Sequence, residues 1–449
     1  MNGFYPVAST MIAQAHSQMD NTIVEKLWHS FSLTQSTLEI VPCEQFLFRV
    51  GDTPLSILKD GKDYALLVDE HGIAVVGKDY GGLMRGFLVL MMKMEYRGKQ
   101  LFIKHTEESS NYRLQQRMIH ICVFPENDLF FIKKLIRQIA LCQYTHIVIE
   151  FWGMLQFDCL KELAWPHAFT KTEAAELLAE CRQLGMEPIP MFNMFGHATA
   201  SRVCYGKHVV LDQNPTLQYL FTPDGWAWDI TSPEVYDLFY KVRQELYALF
   251  GSTEYFHIGF DEAYYYMHHE ELRKEVPGFL QRLTADVAAE GRKPMLWMDM
   301  ILEKKDYPPE YYAFGGEGEA QSLLAALHKE AVMVDWQYNV DQAPVLSSIY
   351  LKEKGHDLII APWLRRPNYT ACIETAVEHG LSGIMLTTWH RLKEYRYGIL
   401  GCAHVCGVKT FVWSMPERTE EETAAMLRRV SFEGNTYFDC GWAKQQIEV

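Results

Sequence analysis

Near the middle of the chain, His257-Ile258-Gly259-Phe260-Asp261-Glu262-Ala263 sets two carboxylates side by side, shortly after a glycine and a histidine. Adjacent like charges push one pKa upward, which suits a general acid working beside an ionised neighbour. A solvated Asp-Glu pair opening a loop is the plainer reading of the dipeptide alone. Its place at the end of an apolar strand, behind that glycine and histidine, favours chemistry. Related groups recur where other apolar runs end: Glu150 and Trp152, then Asn193, Phe195 and His197, then Trp297 and Asp299. Later ends add Asp335, Trp336 and Tyr338, then Trp363, then Trp389 and His390. One tryptophan at a strand end commonly packs a helix against a sheet. Repeated tryptophans interleaved with carboxylates suit a sugar, whose C–H faces stack on rings while its hydroxyls take polar partners.

The runs that carry these groups are short, continuous and apolar, and they alternate with longer amphipathic stretches, the pattern of repeated βα units in a parallel sheet. Eight strands are expected, at residues 117–123, 145–152, 187–194, 255–262, 294–300, 332–338, 357–364 and 383–390. The clearest intervening helices are 129–141, 172–184, 233–250 and 270–290, the third marked by Ser232-Pro233-Glu234 as cap, first-turn proline and early acid. Eight such units over residues 111–449 fit a (β/α)8 barrel, whose chemistry sits at the C-terminal strand ends. Residues 1–110 read as a small α+β accessory domain. It has a hairpin at Asp69-Glu70-His71-Gly72, a helix over 83–94 and a closing strand at 101–104. Ile23, Leu27 and Phe31 have helical spacing. The stretch from Gly196 to Thr231 is too aromatic for a disordered linker (Tyr205, Tyr219, Trp226, Trp228) and reads as a wall of the pocket.

Composition removes several classes of function. With 42 Lys+Arg against 57 Asp+Glu, the 449 residues carry a net charge of −15, so nucleic acid and anionic membrane are not expected partners. The first twenty residues lack a charged and then apolar leader pattern, and the run from Gly86 to Met92 is too short to span a bilayer. A cytoplasmic protein is expected. The ten cysteines are scattered, which suits reduced, buried thiols. Cys402-x-His404-x-Cys406 has no second ligand pair, so no metal or cofactor is expected.

The run around Asp261-Glu262 resembles the signature of glycoside hydrolase family 20, the β-N-acetylhexosaminidases, a His/Asn-x-Gly-x-Asp-Glu motif on strand four. Asp229 to Glu234 and the following helix resemble the family's lead into that motif. Pro190-Met191-Phe192-Asn193-Met194-Phe195-Gly196-His197-Ala198 is similar to its Pro-Glu-Ile-Asp-Met-Pro-Gly-His-Ala strand three. The resemblance implies a TIM-type barrel behind an accessory domain. It also implies an exo-acting, retaining reaction on terminal GlcNAc or GalNAc of a small glycan or glycoconjugate, in which the substrate's acetamide oxygen is the nucleophile. Asp261 would then polarise the acetamide and Glu262 serve as general acid and later base.

Further roles follow from the same resemblance. Arg117 would grip sugar hydroxyls, Tyr338 would hydrogen-bond the acetamide, and Trp297, Trp336 and Trp389 would box its methyl group. Trp363 and Asp299 complete the expected sugar-contacting set, with His197 and His257 orienting their neighbours. Strand seven ends without a carboxylate, which disfavours a two-carboxylate mechanism, although Glu150 and Asp299 remain possible second acids. Four departures stand out. Asn193 replaces an aspartate, so a charge acting through histidine is expected to be missing. Phe260 replaces a small residue and is expected to narrow the site. Strand one lacks the usual aspartate and second arginine. Alternatives are a catalytically weak relative that binds amino sugars, or a barrel glycosidase acting on unacetylated sugars. A metal-dependent hydrolase is disfavoured because no His-x-His follows strand one. Oligomeric state is not legible.

Overall fold

The computed structural model describes residues 3–55, 60–198, 211, 214–389, 392, 396–408 and 427–432. Its first hundred or so residues build two sheets. A six-stranded mixed sheet runs in the order Thr37–Cys43, Thr10–His16, Leu47–Gly51, Gly72–Gly77, Tyr64–Val68 and Thr106–Ser109. A three-stranded antiparallel sheet joins Phe4–Pro6, Gln100–Lys104 and Met94–Arg97. The helical spacing at Ile23, Leu27 and Phe31 is the buried face of helix Thr22–Phe31, whose first turn is capped by Asn21 Oδ1 accepting from the Ile23 and Val24 amides. That helix crosses between two parallel strands, Thr10–His16 and Thr37–Cys43.

The accessory helix runs Tyr80–Met92, three residues earlier than its apolar residues suggest, because Asp79 caps it by accepting from the Gly82 amide. Gly86 lets it lie close on the sheet, since a Cβ there would meet Val75 Cγ1 at 2.6 Å. The same helix docks on the barrel. Tyr80 donates to the Gln183 carbonyl at 2.8 Å, and Arg85 to that of Gly185 at 3.2 Å.

The barrel is closed, all-parallel and in sequence order. Its strands, numbered here one to eight, are Gln116–Cys122, His146–Glu150, Glu187–Met191, Tyr255–His257, Lys293–Trp297, Val332–Trp336, Asp357–Ala361 and Gly383–Thr388. Strand eight pairs back onto strand one from Gln116↔Gly383 to Ile121↔Thr388. All eight expected strands are present, but most end two to five residues sooner than their apolar runs. The surplus residues form the rim, as a barrel needs if its strand ends are to carry chemistry. Inside, Met118, Val148, Ile189, Met295, Val334, Ile359 and Met385 fill the lumen beneath a layer containing Trp297, Trp336 and Tyr338.

The expected helix over 270–290, preceded by a short helix Tyr264–Met267, is two pieces, Glu270–Arg273 and Val276–Ala289. Pro277 opens the last of them, where a missing N–H costs nothing. Ser232 precedes helix Pro233–Phe250 as expected, but its side chain makes no capping bond. Cys402 and Cys406 are buried, and among the described residues no cluster is arranged to hold a metal. No described helix is long and apolar enough to cross a membrane.

Arg117 corrects an expectation. It lies near the start of strand one, at the opposite end of the barrel from the rim, and is 1 % exposed. Its guanidinium donates to the carbonyls of Gln143, Leu114 and Gln115, each at 2.9 Å, and stacks on Tyr112. Asp63 of the accessory sheet stands 3.9 Å away and is held at 2.6 Å by Arg85. Burial alone would raise the Asp63 pKa, but Arg85 first, then Arg117 and Lys78, hold it below the usual carboxylate range. Arg117 therefore joins the two units and cannot reach a sugar. Arg117→Met is expected to lower unfolding stability by about 3 kcal/mol, as when one partner of a buried ionic cluster is removed. A denaturation midpoint equal to wild type would refute that role.

His146, at the foot of strand two, lies 2.8 Å from Thr145 Oγ1 and against the Tyr255 ring. Burial lowers its pKa to about 4, against roughly 6.5 when exposed. The unfolded chain therefore binds a proton that the fold refuses. The stability owed to His146 is whole above about pH 6.5 and drains away as pH falls toward 4. His146→Gln should lose about 2 kcal/mol less than wild type between about pH 7.5 and 5. Equal losses in urea titrations at the two pH values would show that His146 titrates as it does in the unfolded chain.

Candidate active site

At the end of strand four the backbone leaves the sheet through residues of positive φ: Gly259 at 76°, Phe260 at 87° and Glu262 at 47°. Non-glycine residues hold such angles only where surroundings over-determine them, at a cost of about 1–3 kcal/mol each. The surroundings here are the end of strand three. A Cβ on Gly259 would fall 2.1 Å from Asn193 Oδ1, and one on Gly196 would fall 1.9 Å from the Asp261 carbonyl oxygen. The two turns thus touch backbone to backbone, and glycine is the residue that permits it. His197, itself at φ 52°, follows Gly196.

That contact brings the acids to one imidazole. His197 Nε2 lies 2.9 Å from Glu262 Oε2 and 3.4 Å from Asp261 Oδ2. Asp261 is buried, whereas Glu262 keeps about a fifth of its side chain exposed. Burial first, and then the negative charge of Glu262, raise the pKa of the Tyr264 phenol, so it remains protonated beside the acid. Trp226 lays its ring 4.7 Å from His197 and donates from Nε1 to the Glu262 carbonyl at 2.6 Å. The long loop after strand three therefore does wall the acid pair. Tyr205 and His390 lie outside the described residues.

Asp299 is buried with both oxygens engaged: Oδ1 accepts from Trp336 Nε1 at 2.8 Å and Oδ2 from the Glu262 amide at 2.9 Å. Burial, then the charge of Asp261, raises its pKa well above the carboxylate range. Glu150 is likewise fully buried, accepting from Asn193 Nδ2 at 2.9 Å and lying 3.2 Å from His120 Nε2. Asn193 thus serves Glu150, and His197 Nδ1 is buried with no hydrogen-bond partner among the described residues. The expected loss of a charge behind that histidine agrees with this geometry. Phe260 does not narrow the site, because it is fully buried and stacks on Phe195 at 4.7 Å, facing the core.

The expected aromatic residues assemble into two groups. His257 lies 4.4 Å from the Trp297 ring and accepts from the Gly259 amide at 3.1 Å. Burial first, and then His120, lower its pKa well below the usual histidine value, so it orients the turn as a neutral ring. His120 meets both Trp297 and the half-buried Trp389 edge-on. On the other side, Trp336, Tyr338 and Trp363 follow one another at 4.9 and 5.4 Å.

Tyr312, which no strand-end pattern reveals, extends that second row to 4.4 Å from Trp336. Gln337 holds it, accepting from the Tyr312 amide at 2.8 Å and donating to its carbonyl at 3.1 Å. Asp335 fixes Gln337 and takes the hydroxyls of Ser347 and Ser348 at 2.6 Å each, so it faces a helix rather than the mouth. Tyr264 had a visible signal, being two residues past the acid pair. Tyr312 had only the length of the loop after strand five.

The arrangement offers a carboxyl pair bridged by histidine, beside stacked aromatic rings and without a metal cluster among the described residues. The glycosyl hydrolase family 20 catalytic-domain model matches residues 153–430. No curated protein sequence matches the chain. Among solved structures, a chitobiase from Flavobacterium johnsoniae aligns with a TM-score of 0.69 at 15 % identity, over 97 % of this chain and 72 % of its own. An N-acetyl-β-hexosaminidase from Streptomyces plicatus, solved with thio-NAglucal, gives 0.65 at 15 % identity over 96 % and 92 %. A β-N-acetylhexosaminidase from Bacteroides fragilis gives 0.64 at 15 % identity over 97 % and 93 %. At such identity these likenesses speak for the fold. The family match covers well over half of the chain, and the protein belongs to glycosyl hydrolase family 20, a glycoside hydrolase on a closed (β/α)8 barrel.

Proposed function

We propose that the protein is an exo-acting, retaining β-N-acetylhexosaminidase that removes terminal GlcNAc or GalNAc with the substrate's own acetamide as nucleophile. The observation that carries this reading is the meeting of Asp261 and Glu262 at His197. One carboxylate is buried and suited to hold an acetamide N–H, and the other is partly open to a leaving group. The remaining strand-end carboxylates, Glu150, Asp299 and Asp335, are buried and hydrogen-bonded. An ordinary retaining enzyme would need one of them free as nucleophile. The names of the solved neighbours, chitobiase and β-N-acetylhexosaminidase, agree with the reading.

In the first step the acetamide oxygen bonds to the anomeric carbon as the bond to the leaving oxygen breaks. That oxygen keeps the electron pair and takes a proton from Glu262, while Asp261 stabilises the charge gathering on the acetamide nitrogen. Glu262, now ionised, then takes a proton from water as the water oxygen opens the oxazoline ring, and the configuration is retained. The aromatic walls exclude bulk water from the ring intermediate.

A catalytically weak amino-sugar-binding relative is the second reading, favoured by His197 Nδ1, which has no hydrogen-bond partner among the described residues. Nitrophenyl β-glycosides of GlcNAc, GalNAc and galactose separate the possibilities. The first two should be hydrolysed and the third not, with inhibition by an N-acetyl-sugar thiazoline and a loss of about 10²- to 10⁴-fold in Glu262→Gln. Binding without turnover would establish the second reading, and equal rates on all three glycosides would remove the acetamide from the mechanism.

A further inference from the structure

Sequence reading casts Asp299 as a sugar contact or a second acid, but neither of its oxygens is available for such work. We infer that Asp299 is a positioning residue that ties the aromatic wall to the acid, so that what fills the wall sets where Glu262 stands. This rests on Glu262 being the proton donor proposed above.

The argument begins with the acid's backbone. Glu262 holds a left-handed conformation, and both of its peptide groups are pinned. Its amide donates to Asp299 Oδ2, while its carbonyl accepts from Trp226 Nε1 at 2.6 Å and the Tyr264 amide at 2.8 Å. Asp299 in turn is aimed by Trp336, whose indole N–H reaches Oδ1 at 2.8 Å. A buried carboxylate is tolerated only where donors satisfy it, and these two donors come from different strands. The result is a continuous chain, Trp336 to Asp299 to Glu262, in which each member has one arrangement. Trp336 is wedged between Tyr312 at 4.4 Å and Tyr338 at 4.9 Å, so it cannot shift without pulling on the carboxylate. A sugar substituent seated against Trp336 therefore acts on the acid's placement as well as on affinity. Its loss should appear in kcat, because misplacing a reacting group by a fraction of an ångström lowers rate more than binding.

Proton donation matters most when the leaving group is poor, which supplies the test. Asp299→Asn and Trp336→Phe are compared with wild type on two aryl N-acetyl-β-glucosaminides, one bearing 2,4-dinitrophenol and one bearing 4-methoxyphenol. Both variants should lose about 10²-fold in kcat on the methoxyphenyl substrate and less than about tenfold on the dinitrophenyl one, with KM little changed in Asp299→Asn. Equal losses on the two substrates, or a raised KM with kcat unaltered, would overturn the inference and make Asp299 a structural or sugar-contacting group. A readout free of turnover keeps the inference separate from the proposed function. In Trp336→Phe the amide proton resonance of Glu262 should move, because its acceptor Asp299 loses the indole N–H that aims it. An unmoved resonance there refutes the coupling. Absence of turnover by wild type on either glycoside would instead refute the N-acetylhexosaminidase reading.

Discussion

Two carboxylates that are neighbours in sequence normally point to opposite sides of an extended chain. For both to face one substrate, the backbone around them must turn, and in this protein it turns through the left-handed region at Phe260 and Glu262. That conformation is costly and persists because strand three leaves no other course. Gly196 lies against the Asp261 carbonyl and Gly259 against Asn193, at separations where any side chain would collide. The remainder of the site depends on this contact. It delivers His197 to both acids, opens the Glu262 amide to Asp299, and offers the Glu262 carbonyl to Trp226.

The electrostatics follow from the same crowding. Glu150, Asp261, Glu262 and Asp299 share the barrel mouth, and the histidines beside them include His257, which burial keeps neutral. Such a cluster is stable only if each carboxyl has donors and not all are charged together. Asn193 and His120 satisfy Glu150, and two N–H groups satisfy Asp299, whose pKa is driven up by burial and by Asp261. The carboxyl with solvent access is Glu262, the one that the proposed reaction requires to lose and regain a proton.

Much of the fold was legible from hydrophobic pattern. Continuous apolar runs announced all eight strands, since a strand covered on both faces has no polar side to show. Helix boundaries were less legible where capping decided them. Asp79 starts the accessory helix early, and Pro277 restarts a helix that periodicity alone would have continued. The first two strands escaped notice because their partners lie elsewhere in the chain: Thr10–His16 is completed by Thr37–Cys43 and Leu47–Gly51.

For the site, residue type and position at a strand end were enough to single out Asp261, Glu262, His197, Trp297, Trp336 and Asp299, because strand ends in a parallel barrel converge by topology. The sequence by itself thus determined which groups gather at the mouth. It could not determine what each would touch. Arg117 sits on the right strand but at its far end, away from the rim, and satisfies carbonyls between the two units. Asp299 became a clamp and Phe260 a core residue through contacts with Trp336 and Phe195, which are distant in sequence. Tyr312 enters from a loop that Gln337 holds by its backbone. Periodicity encodes which face of an element is apolar. Hydrogen-bond partners at 3 Å depend on how several elements approach at once, and only the packed barrel sets those distances.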